Sequence, residues 1–141
     1  MSEKFTILAE YIKDMSSETP NIETYLYVKD IITKYNLNIL INSTPLKNNL
    51  IEVNTKLTYQ DPEEGNEKKA YFELIYASVI KVDKEVKGKE IVEQIILVEL
   101  QKKIFKNIEK AFLNLIHNSG YVSVKWEKTP DFEKLYREKS N

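Results

Sequence analysis

IEVNTKLTYQ, residues 51–60, decides the fold. Ile51, Val53, Thr55, Leu57 and Tyr59 fall on one side of an extended chain, and Glu52, Asn54, Lys56, Thr58 and Gln60 on the other. This period-2 alternation describes a strand with one buried and one wet face. Just beyond it, DPEEGN (61–66) is dense in turn formers and predicts a hairpin. The return strand, AYFELIYASVIKV (70–82), is apolar on both sides, with Phe72, Leu74, Tyr76, Ile80 and Val82 opposed to Tyr71, Ile75, Ala77 and Val79. Such a strand sits inside a sheet covered on both faces. Working toward the N-terminus, LNILINST (37–44) and FTILAEYIK (5–13) read as two more strands. Between them, residues 22–36 read as either a strand or a short helix, and their Tyr and β-branched residues tilt the balance toward extended or irregular structure.

Past residue 89 the period changes. Ile91, Val92, Ile95, Ile96, Leu100, Ile104, Ile108, Phe112, Leu115 and Ile116 recur at helical spacing, opposite Lys102, Lys103, Lys106, Glu109 and Lys110. The stretch from Val98 to Asn118 predicts a rod of roughly 30 Å, closed by Gly120 in a left-handed cap. YVSVKWEK (121–128) looks extended, and Thr129–Pro130 predicts the start of a short helix turning Phe132, Leu135 and Tyr136 inward. Strands followed by helices give an α+β domain spanning residues 1–141: a four-stranded antiparallel sheet packed with a long helix and a short closing helix. Phe105, Ala111 and Leu113 widen the apolar stripe of the long helix beyond what one small sheet is expected to cover, which predicts self-association.

Composition narrows the function. With 21 basic and 22 acidic residues, the chain lacks the positive excess that binds nucleic acid or an anionic membrane. No cysteine is present, so thiolate chemistry and disulfides are excluded, and one histidine cannot build a His-based triad or multi-His metal site within a chain. The three glycines are too far apart for a phosphate-cradling loop. No cofactor is expected, and an enzyme is the least favoured class. MSEKFTILAE does not have the form of a secretory signal, so a cytoplasmic location is the expectation.

The remaining candidates concern binding. Asp14 and Glu18 occupy a polar corner in YIKDMSSETPN (11–21), where they could be solvated acids or a charged docking site; no pocket for acid–base chemistry is evident from the sequence. Asp61, Glu63, Glu64 and Glu67 lack the ligand order of a calcium loop. His117 stands in the last turn of the long helix, a place for a structural cap. Tyr121, Val122, Val124 and Trp126 form a strip that is either core or the wall of an apolar groove, to which Tyr25 and Tyr27 are added as candidates.

YIKDMSSETPN resembles the N-terminal signature of SecB-type protein-export chaperones, Tyr-x-Lys-Asp-x-Ser-x-Glu-x-Pro-Asn, through Tyr11, Lys13, Asp14, Ser16, Glu18, Pro20 and Asn21. FELIYASVI (72–80), the helical run 97–124 and DFEKLY (131–136) follow in the family's order, so the likeness covers nearly the whole chain. Departures are QKKIFKN (101–107), where the family has a Cys-Pro-containing run, Ala77–Ser78 in place of small glycines, Tyr71 two residues before the fourth-strand acid, and a near-neutral charge. The resemblance implies a cytosolic dimer of dimers with long helices packed between dimers. It also implies a nucleotide-independent holdase that receives unfolded secretory precursors and delivers them to the motor SecA, with no membrane insertion. The implied SecA surface falls on Asp14, Glu18, Tyr71 and Glu73. Two alternatives remain: a SecB-like chaperone dedicated to one cytosolic client such as an antitoxin, and a carrier enclosing a small apolar ligand between sheet and helix.

Overall fold

A computed structural model describes residues 4–140. Strands β1 (Phe5–Glu18), β2 (Asn36–Pro45), β3 (Leu50–Gln60) and β4 (Tyr71–Val82) form one antiparallel sheet in the order β1-β4-β3-β2. β3 keeps its alternation: Val53, Thr55, Leu57 and Tyr59 are buried beneath the helical layer, and the intervening side chains face the open side of the sheet. Asn48 and Asn49 both adopt positive φ, 64° and 62°, and turn the β2–β3 hairpin in the manner of a type I′ turn. Asp61 accepts the Glu63 N–H at 2.9 Å in the β3–β4 connection.

β1 does not follow the simple alternation. It runs five residues past the expected end at residue 13, and its register against β4 slips twice, between Ile7 and Ala9 and between Ile12 and Asp14. Each slip adds one β1 residue and exchanges the faces. Phe5 and Ile7 therefore pair with Val82 and Ile80 on the helix side, whereas Ala9 and Tyr11 pair with Val79 and Ala77 on the open side. The second slip, at Lys13, carries Asp14, Ser16 and Glu18 onto the same open face as Tyr11.

Residues 22–36, expected to be extended or irregular, instead hold helix α1 (Ile22–Val28) and a 3₁₀ turn, Ile32–Lys34. The Asn21 side chain accepts the Thr24 N–H at 2.9 Å, and this cap together with burial of Thr24 and Val28 overrides the β propensity. Residues 121–128 make no strand; Tyr121 and Val124 are drawn into the core along an irregular path.

The long helix consists of α2 (Lys89–Gln94), a π turn (Ile95–Glu99) and α3 (Leu100–Asn118). It ends in a Schellman motif: the Tyr121 N–H bonds the Ile116 carbonyl and the Gly120 N–H bonds the His117 carbonyl. Gly120 has φ +104°, and a Cβ there would lie 2.8 Å from the Tyr25 ring, so glycine is required on two counts. The last helix, α4 (Phe132–Ser140), is capped by Asp131, whose carboxylate accepts the Lys134 N–H at 3.1 Å; Thr129 lies too far upstream to cap it.

Much of the apolar stripe of the long helix is covered within this chain by elements other than the sheet. Phe105 packs edge-on against Phe132 of α4 at 5.0 Å between centroids, Phe112 stacks on Trp126 at 5.8 Å, and Ala111 and Leu113 are half-buried. α4 and the 121–126 segment supply the cover that the sheet alone could not. Leu57, Leu74, Ile104 and Ile108 fill the space between sheet and helix.

Candidate functional site

The four residues of the expected docking surface share the open face of the sheet. Glu18 pairs with Tyr71 and Ser16 with Glu73 across β1 and β4, while Asp14 stands opposite Ile75. Asp14 and Glu18 are exposed, whereas Tyr71 and Glu73 are half-buried and satisfy each other. The Tyr71 hydroxyl donates to Glu73 Oε1 at 2.9 Å, and Lys56 Nζ lies 3.2 Å from the same oxygen. The tyrosine hydrogen bond, with help from Lys56, holds the Glu73 carboxyl below its ordinary range. Burial, with Glu73 adjacent, pushes Tyr71 up to about 12. Glu73 is thus an internally compensated acid, whereas the Asp14 and Glu18 side chains are exposed on the same face. On the same face, Lys13 donates to Glu52 Oε1 at 2.8 Å, which ties β1 to β3 across β4.

The expected client-groove residues divide. Tyr121 and Val124 are core, each 1% exposed. The Tyr121 hydroxyl is 2.8 Å from Thr19 Oγ1, and His117 Nε2 lies 2.8 Å from the Val124 carbonyl. His117 thus pins the segment after the helix instead of capping the helix's own carbonyls. Trp126 is half-buried, with its ring beside Phe112 and Tyr59. Tyr25 donates to the Gly120 carbonyl at 2.9 Å and packs on Tyr121, which joins α1 to the end of α3. Tyr27 and Val122 are exposed, as are Ile22 and Leu26 one turn apart on α1. They leave an apolar surface around this joint.

A second apolar surface was not anticipated. A cleft of about 270 Å³ is lined by Ile39, Leu40 and Ile41 of β2, Leu97 of the π turn, and Phe132, Leu135 and Tyr136 of α4. Consecutive strand residues point to opposite faces, so a hollow touching residues 39, 40 and 41 together lies at the free edge of β2. It adjoins a cleft of about 430 Å³ that shares Ile41, Leu97 and Tyr136 and adds Asn42, Ser43, Glu93 and Ile96. Leu135, expected to point inward, is an exposed wall of this groove. The residues come from three distant segments. The one local signal was Leu40, an apolar residue between Asn38 and Asn42 on the polar side of β2.

A third apolar region belongs to β1. Leu8, Tyr11, Ile12 and Met15 are 45–53% exposed along the other free edge of the sheet. Among the described residues no helix is long and apolar enough to cross a membrane.

A four-stranded antiparallel sheet is backed by a long helix, and exposed apolar residues stand at both of its free edges. The chain belongs to the SecB family, described as preprotein translocase subunit SecB, which it matches over residues 1–141. It is 49% identical over 141 residues to a SecB-named protein-export protein of Pelagibacter ubique, with each chain covered completely. To the protein-export protein SecB of Xanthobacter autotrophicus it is 29% identical over 133 residues, covering 94% of this chain and 83% of that one. In fold it is similar to the Mycobacterium tuberculosis SecB-like chaperone Rv1957, solved with a ChAD peptide from the HigA1 antitoxin. That likeness has a TM-score of 0.66 at 9% identity and covers 90% of this chain and 88% of the other.

Proposed function

We propose that this protein is a nucleotide-independent holdase that binds unfolded secretory precursors in the cytoplasm and passes them to SecA. The groove along β2 carries the reading. An extended polypeptide laid there would hydrogen-bond the free edge of the strand, a sequence-tolerant interaction, and place apolar side chains against Ile39, Leu97 and Leu135. The exposed surface of Tyr27, Ile22, Leu26 and Val122 provides a second foothold, and several footholds on one assembly raise the avidity for a long chain. Binding of this kind holds the unfolded state by mass action and uses no chemical step.

The assembly in this proposal is a dimer of dimers. Its first interface is supported by β1, whose exposed apolar residues and unpaired edge suit a second copy of the same strand. SecA docks on the open face through Asp14 and Glu18, with Tyr71 and Glu73 forming the structured floor between them. Full-length identity of 49% to an export-named relative favours secretory precursors over a single dedicated client.

The test is light scattering from a precursor diluted out of denaturant. Excess protein is expected to suppress aggregation without nucleotide, and unchanged aggregation would count against the holdase. A companion pull-down separates the clients: SecA and many precursors are expected, whereas one abundant cytosolic client without SecA would favour the dedicated chaperone.

A further inference from the structure

The long helix contains one residue more than its buried stripe needs. From Leu100 the fully packed positions advance by four, through Ile104, Ile108, Phe112 and Ile116, but the step from Ile95 to Leu100 is five. The backbone absorbs the surplus as a π turn, in which the Leu100 N–H bonds the Ile95 carbonyl. Such a turn is equivalent to one residue inserted into an α-helix; it is rare and is concentrated at functional sites. Ile95 and Leu100 are both completely buried, and a helix one residue shorter would bring them onto the same stripe at the ordinary spacing.

The insertion alters the outer side of the helix. Leu97, in the middle of the turn, lines both clefts beside β2, Ile96 lines the larger one, and α4 packs on the same turn. We infer that the π turn aims Leu97 into the β2 groove, where Leu97 grips an apolar side chain of a bound extended polypeptide. This rests on the groove reading above and identifies the residue and backbone device that give the groove its floor.

Deleting Glu99 tests the inference, because it removes the surplus residue and leaves Leu97 and every apolar neighbour in the chain. The variant is expected to fold with an unbroken α-helix and to unfold at the same or a higher denaturant concentration than the parent. It should bind reduced, carboxymethylated lactalbumin about tenfold more weakly, as expected for loss of one apolar contact. Leu97→Ala, with the turn intact, should weaken binding similarly. A folded deletion variant with parental affinity overturns the inference, and so does one that fails to fold, since removal of an insertion leaves the flanking faces in register. Leu40→Asp separates this result from the broader reading. If it binds as the parent does, the groove itself is wrong; if it binds weakly while the Glu99 deletion does not, only the role of the π turn is wrong.

Discussion

The two free edges of the sheet are built differently. β1 is long and twice bulged, and its exposed apolar residues lie on both faces: Tyr11 on the open side, Ile12 and Met15 on the helix side. β2 pairs with β3 without a register slip from Asn36 to Pro45, and its polar outer face is broken by Leu40 beside the apolar groove. A straight edge is open to pairing with many strands, whereas a bulged edge suits only a strand whose bends match its own. A strand apolar on both sides needs a fixed partner that covers both. A straight edge with an adjoining groove can accept a changing one. The contrast supports permanent self-association at β1 and reversible polypeptide binding at β2.

The largest effect should come from breaking β1. Ile12→Asp combined with Met15→Asp is expected to reduce the solution mass toward the 16.6 kDa of one chain. Light scattering checks this, and a persistent assembly would relocate the interface. Next comes the anchor at the far end of β1, where Ser17 meets Ser119 at 2.7 Å and Thr19 meets Tyr121. Gly120→Ala strains the turn that forms this anchor, through both positive φ and the Tyr25 clash. It should cost about 2 kcal/mol in denaturant unfolding.

On the β2 side, Leu40→Asp should weaken lactalbumin binding about tenfold, or ~1.4 kcal/mol, while stability moves by no more than about 0.5 kcal/mol. On the open face, Asp14→Lys with Glu18→Lys should abolish the salt-sensitive part of SecA binding and leave the groove's affinity unchanged. The smallest effect is the pH response of Glu73. Its folded pKa lies below the ordinary 4.5, so its stabilising contribution is present above 4.5 and is lost as pH falls through the lowered value. The stability difference between the parent and Glu73→Gln should accordingly shrink over that acidic range in pH-dependent denaturation.

Much of the architecture was legible because β3 and the long helix follow single periods, and because the 11–21 signature fixes the family resemblance. β1 was legible only as far as its second bulge. Two slips of one residue exchange faces and make Asp14, Ser16 and Glu18 resemble a corner instead of a strand. α1 was missed because its propensity is poor and its stability comes from Asn21 and from Thr24 and Val28 underneath. The acids proposed for docking were assigned by resemblance, but the pairing of Glu73 with Lys56 and Tyr71 depends on cross-strand register and has no local signal. Tyr121 and Val124 stood between core and groove because an aromatic strip has the same pattern in a core as on a surface. The β2 groove is made by tertiary packing of three segments, although the five-residue step from Ile95 to Leu100 was visible in the sequence.

Residue-resolved amide hydrogen exchange of the full assembly, with and without saturating carboxymethylated lactalbumin, tests the division of labour between the two edges. The outward-facing amides of β2 should be unprotected in the free protein and become protected on binding, while those of β1 should be protected in both states. Saturated binding with no change along β2, or protection that first arises on β1, would contradict the account.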